Sequence, residues 1–388
     1  IVVRASLTRG VDPGHQIRGS RTRIQQVARL RGIASSAPGK LVLIGEYAVL
    51  FGHPAVVLAV NRRARVDLRP VDGGHWRVAA PGFEERVTAF DLDGDRGFEW
   101  REPESEAVAH LVLVERVLGS LVAAKLIAPE DLPPASISLD TREFFQPSTA
   151  GAAKLGLGSS AALTVALTEA IRRWAPRGKS AMAVSLDRLL DLHRSFQGGR
   201  GSGIDLGASH AGGVVEYRLT DDGRTPSAHP LELPEALHLV FPWTGRSAST
   251  ADFLARLDAG MQRDGGSIAD ALSELGRVSQ AGIAHLRAGE VGRLLDDVSA
   301  FGGAMDQLGR ATGIPILSEE HLRLRRLARD CGLSYKPSGA GGGDVGIGFT
   351  DDPEAATAFA ERAGDAGFPP LDLEIDLRGV HSDPIDGS

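Results

Sequence analysis

The stretch KLGLGSSAALTVALTEAI, residues 154–171, constrains the fold of this chain more than any other segment. Gly156 and Gly158 allow the backbone to approach other groups closely, and serines such as those that follow are favoured at helix N-termini. The small and apolar residues beyond them have helical spacing. The stretch therefore predicts a flexible loop that leads into a buried helix, whose free N–H groups form a site for an anion. For this loop alone, a tight turn capped by serine is the alternative.

Three further clusters of small residues lie far from this loop in the sequence. They are APGKLVLIGEY at 37–47, QGGRGSGIDLGASHAGG at 197–213 and KPSGAGGGD at 336–344. Each adjoins a predicted strand or helix. One glycine-rich loop is weak evidence of a binding site, but four such clusters are harder to explain as ordinary turns.

Two familiar phosphate-binding motifs are excluded. The letters GKS at 178–180 resemble the end of a Walker A loop, but Arg173 stands where that motif needs its first glycine. Gly341, Gly343 and Gly346 match GxGxxG, yet a strand is predicted after them, whereas the dinucleotide fingerprint requires a helix. Neither Cys/His spacing nor an HExxH pattern indicates a zinc site.

Composition narrows the class of protein. The net charge of −7 argues against a general nucleic-acid-binding protein, and no apolar run approaches the roughly 20 residues that span a bilayer. Cys331 is the single cysteine, which excludes an internal disulfide and, with no secretory signal recognised, favours a cytoplasmic location. Only five of the 43 basic residues are lysine, and Lys40, Lys154 and Lys336 all adjoin the small-residue clusters.

The length of 388 residues predicts two domains. Residues 1–32 contain seven arginines and one acidic residue, and we predict a mostly disordered tail there, with a targeting peptide as the alternative. The polar, proline-containing stretch at 221–236 is the best boundary, so we predict domains at 33–230 and 231–388. Strands and helices are mixed in both, which indicates an α+β architecture. Predicted strands include 41–44, 55–60, 64–70, 136–140 and 371–377; predicted helices include 180–195, 249–308, 318–331 and 353–363.

The motifs APGKLVLIGEYAVLFG, GLGSSAALTVAL and KPSGAGGGDVGIGF, in this order, resemble the three motifs of the GHMP kinase superfamily. That family comprises small-molecule kinases that act on galactose, homoserine, mevalonate and phosphomevalonate. Tyr47 in GEYAVL and the cluster at 197–213 are most similar to the phosphomevalonate kinases, since mevalonate kinases more often have histidine at the position of Tyr47. The resemblance implies an N-terminal domain like ribosomal protein S5 domain 2, a ferredoxin-like C-terminal domain, and ATP with Mg²⁺ in the cleft between them.

The resemblance also implies a nucleotide site at the loop before the buried helix. Backbone N–H groups there would bind the ATP phosphates, and the hydroxyl of Ser160 would be a magnesium ligand. Lys154 would add positive charge, although an ordinary solvated lysine is the alternative. The residues expected to bind the nucleotide are Lys154, Gly156, Leu157, Gly158, Ser159, Ser160 and Ala161.

Asp205 matches the catalytic aspartate of the family, and Lys40 matches the lysine of its first motif. For a hydroxyl acceptor, such an aspartate acts as a base or orients the hydroxyl. A phosphate acceptor is already mostly ionised at neutral pH, so repulsion between two anions becomes the larger obstacle. We therefore expect Lys40 to stabilise the transition state and Asp205 to hold Lys40 or a substrate hydroxyl. A turn aspartate is the alternative for Asp205.

One position departs from the pattern of the family. Mevalonate kinases have a magnesium-binding glutamate eleven residues before this aspartate, where this chain has Arg194. Either water and substrate oxygens complete the metal's ligands, or Arg194 pairs with a phosphate. The residues expected to bind the acceptor are Arg194, Ser202, Gly203, Arg246, Ser338, Gly339, Ala340 and Gly341, with Trp243 and Ser249 as weaker candidates.

The resemblance thus implies ATP-dependent phosphorylation of phosphomevalonate, and we expect no nucleic-acid or membrane partner. The alternatives are a mevalonate kinase or another GHMP kinase that acts on a hydroxyl group, and a catalytically inactive sensor that binds its ligand in the same cleft. Lys40, Ser160 and Asp205 are all present, which argues against the sensor.

Overall fold

The structure is a computed structural model of the chain. It describes residues 31–386, apart from residues 83, 96, 149–150, 176–183, 197–200, 221–223 and 264. The predicted tail up to residue 30 and the GKS letters at 178–180 lie outside the described residues. In the part that the structure describes, no helix combines the length and apolar character that crossing a membrane requires.

The elements are numbered in chain order over the described residues. The strands are β1 (Gly32–Ile44), β2 (Ala55–Pro70), β3 (Trp76–Ala80), β4 (Glu84–Asp93), β5 (Gly97–Trp100), β6 (Ala135–Asp140), β7 (Phe145–Ser148), β8 (Gly151–Lys154), β9 (Val214–Leu219), β10 (Pro226–Leu231), β11 (His238–Val240), β12 (Ser334–Pro337), β13 (Gly346–Thr350) and β14 (His381–Ile385). The helices are α1 (Glu106–Ala123), α2 (Ser159–Trp174), α3 (Leu186–Phe196), α4 (Ile204–Ala211), α5 (Thr250–Arg263), α6 (Gly265–Ala288), α7 (Val291–Thr312), α8 (Glu319–Asp330) and α9 (Pro353–Asp365). Short 3-10 turns occupy 48–51, 129–131 and 142–144.

Strand β2 organises the larger sheet, whose order is β10-β9-β2-β6-β3-β4-β5. β1 pairs with β2 along most of its length, and β14 pairs with the outer edge of β1. The two strands predicted at 55–60 and 64–70 are one continuous strand. Its first half is buried at every position, whereas residues 64–70 are buried at alternate positions. An unbroken apolar run followed by an alternating one is the pattern of a strand that is covered first on both faces and then on one.

The second part of the chain contains a three-stranded antiparallel sheet of order β11-β13-β12. Helices α7 and α8 pack on β12, and α9 packs on β11 and β13. This is the ferredoxin-like part of the predicted α+β fold. The long helical pattern predicted at 249–308 contains α5, α6 and α7. Residues 289–290 separate α6 from α7, and residue 264, between α5 and α6, lies outside the described residues.

A single apolar cluster joins the two parts of the chain. It contains Leu41 and Leu157 from the first part and Phe301 and Phe349 from the second, all at most 2% exposed. The boundary at residue 230 stays a prediction, and β14 crosses it, because this last strand belongs to the larger sheet.

The strand predicted at 371–377 is wrong. This segment pairs with β2 at one isolated bridge, Val60 with Ile375, where Asn61 N donates to Glu374 O (3.0 Å) and Asp376 N donates to Ala59 O (2.9 Å). The register of β2 with β1 shifts at the same place, with Arg63 opposite Pro38 and Val60 opposite Gly39. Because the shift interrupts the regular ladder, alternating apolar residues alone do not make a continuous strand here. The helix predicted at 180–195 begins at Leu186, and residues 180–183 lie outside the described part.

Candidate active site

The loop before α2 takes its shape from two glycines in the left-handed conformation. Gly156 has φ +77° and Gly158 has φ +78°. Gly158 is the N-cap of α2 and has no side chain with which to bond the first turn, so Ser159 and Ser160 are the first residues of the helix. The predicted serine cap is therefore wrong. Its absence leaves N–H groups of the first turn available to an anion.

Lys40 lies directly against this loop. Its backbone N donates to Leu157 O (2.8 Å), and its Nζ donates to Gly156 O (3.2 Å). A Cβ on Gly158 would lie 3.2 Å from Lys40 Cγ and 3.5 Å from Asp205 Cβ. Glycine at this position thus allows the loop to lie against the two predicted catalytic side chains.

The loop opens into a cavity of about 680 Å³. Its walls come from segments that are distant in sequence: β1 with the turn that follows it, the loop before α2, the start of α4, residues 248–250 and residues 338–344. The predicted site residues that line it are Lys40, Lys154, Gly156, Gly158, Ser160, Ala161, Ser202, Gly203, Asp205, Ser338, Gly339 and Ala340, together with the weaker candidate Ser249.

The two arginines predicted to bind the acceptor do not line this cavity. Arg194 donates from Nε and Nη2 to Gly201 O (2.9 and 2.7 Å). Arg246 forms an exposed ion pair with Glu320 (3.0 Å). Both guanidinium groups have partners within the protein, and the geometry brings neither to the predicted phosphate position. Four other predicted residues also lie outside the lining: Leu157, Ser159, Gly341 and the weaker candidate Trp243.

A buried ion pair at the base of the cavity is not evident from the sequence. Lys336 Nζ donates to Glu46 Oε1 (2.5 Å) and to Val42 O (3.2 Å), and both charged side chains are buried. Burial raises the pKa of Glu46 and lowers the pKa of Lys336, while the attraction between the two charges opposes both shifts. The scarcity of lysine was the only sequence signal that pointed to Lys336.

Two more contacts fasten the third glycine cluster to the first. Ser338 Oγ accepts from Val42 N (2.9 Å), and the Tyr47 hydroxyl donates to Ala340 O (2.6 Å). Ser338 therefore positions the loop in addition to lining the cavity. These bonds fix the distance between two segments that the sequence separates by almost the whole chain.

Two lysines line the side of the cavity next to the loop. Lys154 lines it with Lys40, and burial lowers the pKa of Lys154 while Asp344 raises it. His193 is also buried in the lining, and burial lowers its pKa, so its imidazole is neutral at pH 7. Two lysines beside an uncapped helix N-terminus suit a polyanion such as a triphosphate.

Known proteins resemble the chain over almost its whole length. The family described as GHMP kinases C terminal matches residues 290–368. Phosphomevalonate kinase from Streptomyces sp. (strain CL190) is 29% identical over 389 residues, covering 90% of this chain and 99% of the relative. Mevalonate kinase from Thermococcus sibiricus is 27% identical over 373 residues, with 91% and 99% covered.

Solved structures agree with the sequence comparisons. The Lin0012 protein from Listeria innocua superimposes with a TM-score of 0.77 at 24% identity, covering 91% of this chain and 99% of that one. Streptococcus pneumoniae phosphomevalonate kinase, in complex with phosphomevalonate and AMPPNP, gives a TM-score of 0.66 at 18% identity, again with 91% and 99% covered. This chain has the GHMP kinase fold. The resemblance drawn from the three motifs is confirmed.

The GHMP kinase fold and the relatives together support an ATP-dependent kinase. The cavity also fits the metal ion that such a kinase uses. Its oxygen donors include the Ser160 hydroxyl and the carboxyl groups of Asp205 and Asp344, and oxygen is the ligand that Mg²⁺ prefers. Among the described residues, no group of three or more His, Cys, Asp or Glu could hold a metal alone. Mg²⁺ usually shares one or two protein carboxylates with substrate phosphates and water.

Asp344 also lines this cavity, although it is not among the site residues predicted from the sequence. Ala248 N donates to Asp344 Oδ1 (3.2 Å). Burial raises the pKa of Asp344 to about 6, while the Ala248 hydrogen bond and the charges of Lys40 and Lys154 lower it. The only signal in the sequence is that an aspartate ends a run of three glycines.

Proposed function

We propose that this chain catalyses the ATP-dependent phosphorylation of 5-phosphomevalonate to 5-diphosphomevalonate. The observation that carries the proposal is that Lys40, the glycine loop before α2 and Asp205 meet at one cavity, although they come from distant segments. The named phosphomevalonate kinases among the relatives support the choice of acceptor.

The loop residues and the first turn of α2 would bind the triphosphate through backbone N–H groups, and Lys154 would neutralise part of its charge. Ser160 would hold Mg²⁺ together with phosphate oxygens, and the ion would supply further charge neutralisation when bound. Alignment of donor and acceptor and neutralisation of charge are the main tasks of the protein in phosphoryl transfer.

The acceptor phosphate is itself an anion and needs no strong base. One of its oxygens would attack the γ-phosphorus of ATP, and the bond from that phosphorus to the β,γ-bridging oxygen would break to release ADP. Lys40 has one N–H bond to Gly156 O, and two further ammonium protons remain for the oxygens of the transferred group. Asp205, across Gly158 from the stem of Lys40, would orient this lysine or a substrate hydroxyl.

The test is an ADP-release assay with purified protein, Mg²⁺-ATP and either phosphomevalonate or mevalonate. We expect ADP with phosphomevalonate, and phosphorus NMR of the product should contain the two signals of a diphosphate monoester. Equal or faster turnover of mevalonate would contradict the proposal and indicate a mevalonate kinase. This is the second candidate because mevalonate kinases at 27% identity are among the relatives. If the protein binds these ligands but releases no ADP with either acceptor, the inactive sensor is the correct alternative.

A further inference from the structure

The described part of the chain contributes three acidic residues to the cavity lining: Glu46, Asp205 and Asp344. Glu46 is bound by Lys336 at the base of the cavity. Asp205 has a role in the proposed reaction. Asp344 is left without a role there, although it lies beside the loop that would bind the triphosphate.

The Asp344 side chain packs directly on this loop. A Cβ on Gly156 would lie 2.2 Å from Asp344 Cγ and 2.5 Å from Asp344 Oδ2, so the carboxyl group fills the bare face of the glycine. Oδ1 is held by the Ala248 N–H group (3.2 Å). One carboxyl oxygen is thus fixed by the protein, and the other lies at the phosphate loop.

The backbone around Asp344 is built to keep it in an unfavourable conformation. Its φ of +60° lies in the left-handed region, which glycine adopts without strain. Asp344 N donates to Arg246 O (2.7 Å), and Thr244 Oγ1 donates to Asp344 O (2.9 Å). His321 Nε2 lies 2.8 Å from the preceding carbonyl, Gly343 O, and must donate because a carbonyl only accepts. Strain that several bonds maintain is typical of a functional position.

We propose that Asp344 provides the protein carboxylate for the magnesium ion of the bound nucleotide, either directly or through one water molecule. This inference rests on the proposed function, since it requires a nucleotide in the cavity. Mg²⁺ is commonly held by one or two carboxylates and the phosphates of a substrate. Lysines and a metal-binding aspartate flank the same phosphates in other kinases and ATPases, so the nearby Lys40 and Lys154 are compatible with this role.

The test is calorimetric titration of ADP into the whole chain, with and without Mg²⁺. In Asp344→Asn the amide oxygen still accepts from Ala248, but the negative charge is lost. We expect Mg²⁺ to increase ADP affinity in the original protein and this increase to fall about tenfold or more in the variant. Metal-free ADP should bind the variant equally well or more tightly, because one repulsive charge near the phosphates is removed.

Two further variants make the result decisive. In Asp344→Gly, the new glycine adopts the left-handed conformation without strain, so the variant should remain folded. It should lose the same Mg²⁺-dependent increase in ADP affinity. Asp306→Asn removes an ion-paired carboxylate on α7, outside the cavity lining, and should change neither affinity. An unchanged magnesium effect in both Asp344 variants would overturn the inference. So would an equal loss of ADP affinity with and without Mg²⁺, because Asp344 would then only support the loop. If the original protein binds no ADP at all, the proposed function itself fails.

Discussion

Lys40 is fixed at both of its polar ends, since its N–H and its ammonium group bond to neighbouring carbonyls of one loop, Leu157 O and Gly156 O. Lys40→Met keeps most of the apolar stem and removes the charge. Because the ammonium group would stabilise charge that develops in the transition state, we expect kcat to fall by about 10²–10³ with a smaller change in the KM for ATP. Steady-state ADP release measures both. Lys125→Met, at an exposed lysine, is the control and should retain full activity. A kcat within a few fold of the original would contradict the assigned role of Lys40.

Residues that belong to local motifs could be predicted, whereas residues defined by tertiary contact could not. Ser160 and Asp205 stand next to glycines whose torsions and small size are readable from the sequence, and both line the cavity. Glu46 and Asp344 matter because of what approaches them from elsewhere in the chain. The ion pair between Glu46 and Lys336 joins residues 290 positions apart. Arg194 is the opposite case, since its position in the motif suggested a phosphate ligand but Gly201 O takes its guanidinium group.

The turn after β1 is connected to strand β12 through the buried pair of Glu46 and Lys336. Lys336→Met leaves the Glu46 carboxylate buried without its counter-ion, and we expect the free energy of unfolding to fall by about 3–5 kcal/mol. The free energy of unfolding should fall less in the double variant Glu46→Gln/Lys336→Met than in Lys336→Met alone, because no uncompensated charge remains. Urea denaturation of the four proteins in this cycle measures the difference.

The matched control for this cycle is an exposed pair on a single helix. Glu274 and Arg277 lie on α6 with side chains that are 40% and 66% exposed, and Arg277→Met should cost no more than about 1 kcal/mol. If Lys336→Met lowers the free energy of unfolding as little as this control does, or if the two substitutions in the cycle are simply additive, the pair does not couple the turn after β1 to β12.

Elements whose signals are local could be predicted more readily than elements that depend on distant partners. Helix α2 and its loop follow from glycine conformation and helical spacing within one stretch. The segment 371–377 has a good alternating pattern, yet it pairs with β2 at only one isolated bridge, Val60 with Ile375. β14 contains one strong strand former, Ile385, beside Asp383 and Pro384, and it is nevertheless a strand because the edge of β1 is available to it. In both segments, the available pairing partner determined whether a strand formed, and the local sequence pattern does not reveal that partner.

At the scale of the molecule, the cavity lies where two parts of the chain meet over one apolar cluster. This cluster contains residues from β1 and the loop before α2 as well as residues from α7 and β13. Ion-pair and hydrogen-bond contacts between the first and third motifs lie directly beside it. Because the parts share a core, relative motion between them would have to break apolar contacts, unlike motion of domains that meet through a polar interface.

The shared cluster predicts that the two parts unfold as one cooperative unit. Phe301, on α7, is fully buried in this cluster, and Phe301→Ala should lower the free energy of unfolding by about 3–5 kcal/mol. Amide hydrogen exchange followed by mass spectrometry can locate the effect. The slowest-exchanging amides of β2, in the first part, should lose as much protection as those of α7, since both exchange through the same global opening. Val87→Ala, at an exposed position on β4, is the control and should change neither the free energy of unfolding nor the protection of these amides. If protection falls in α7 while β2 keeps its full protection, the parts open independently, and the cavity between them is held by polar contacts instead of by a common core.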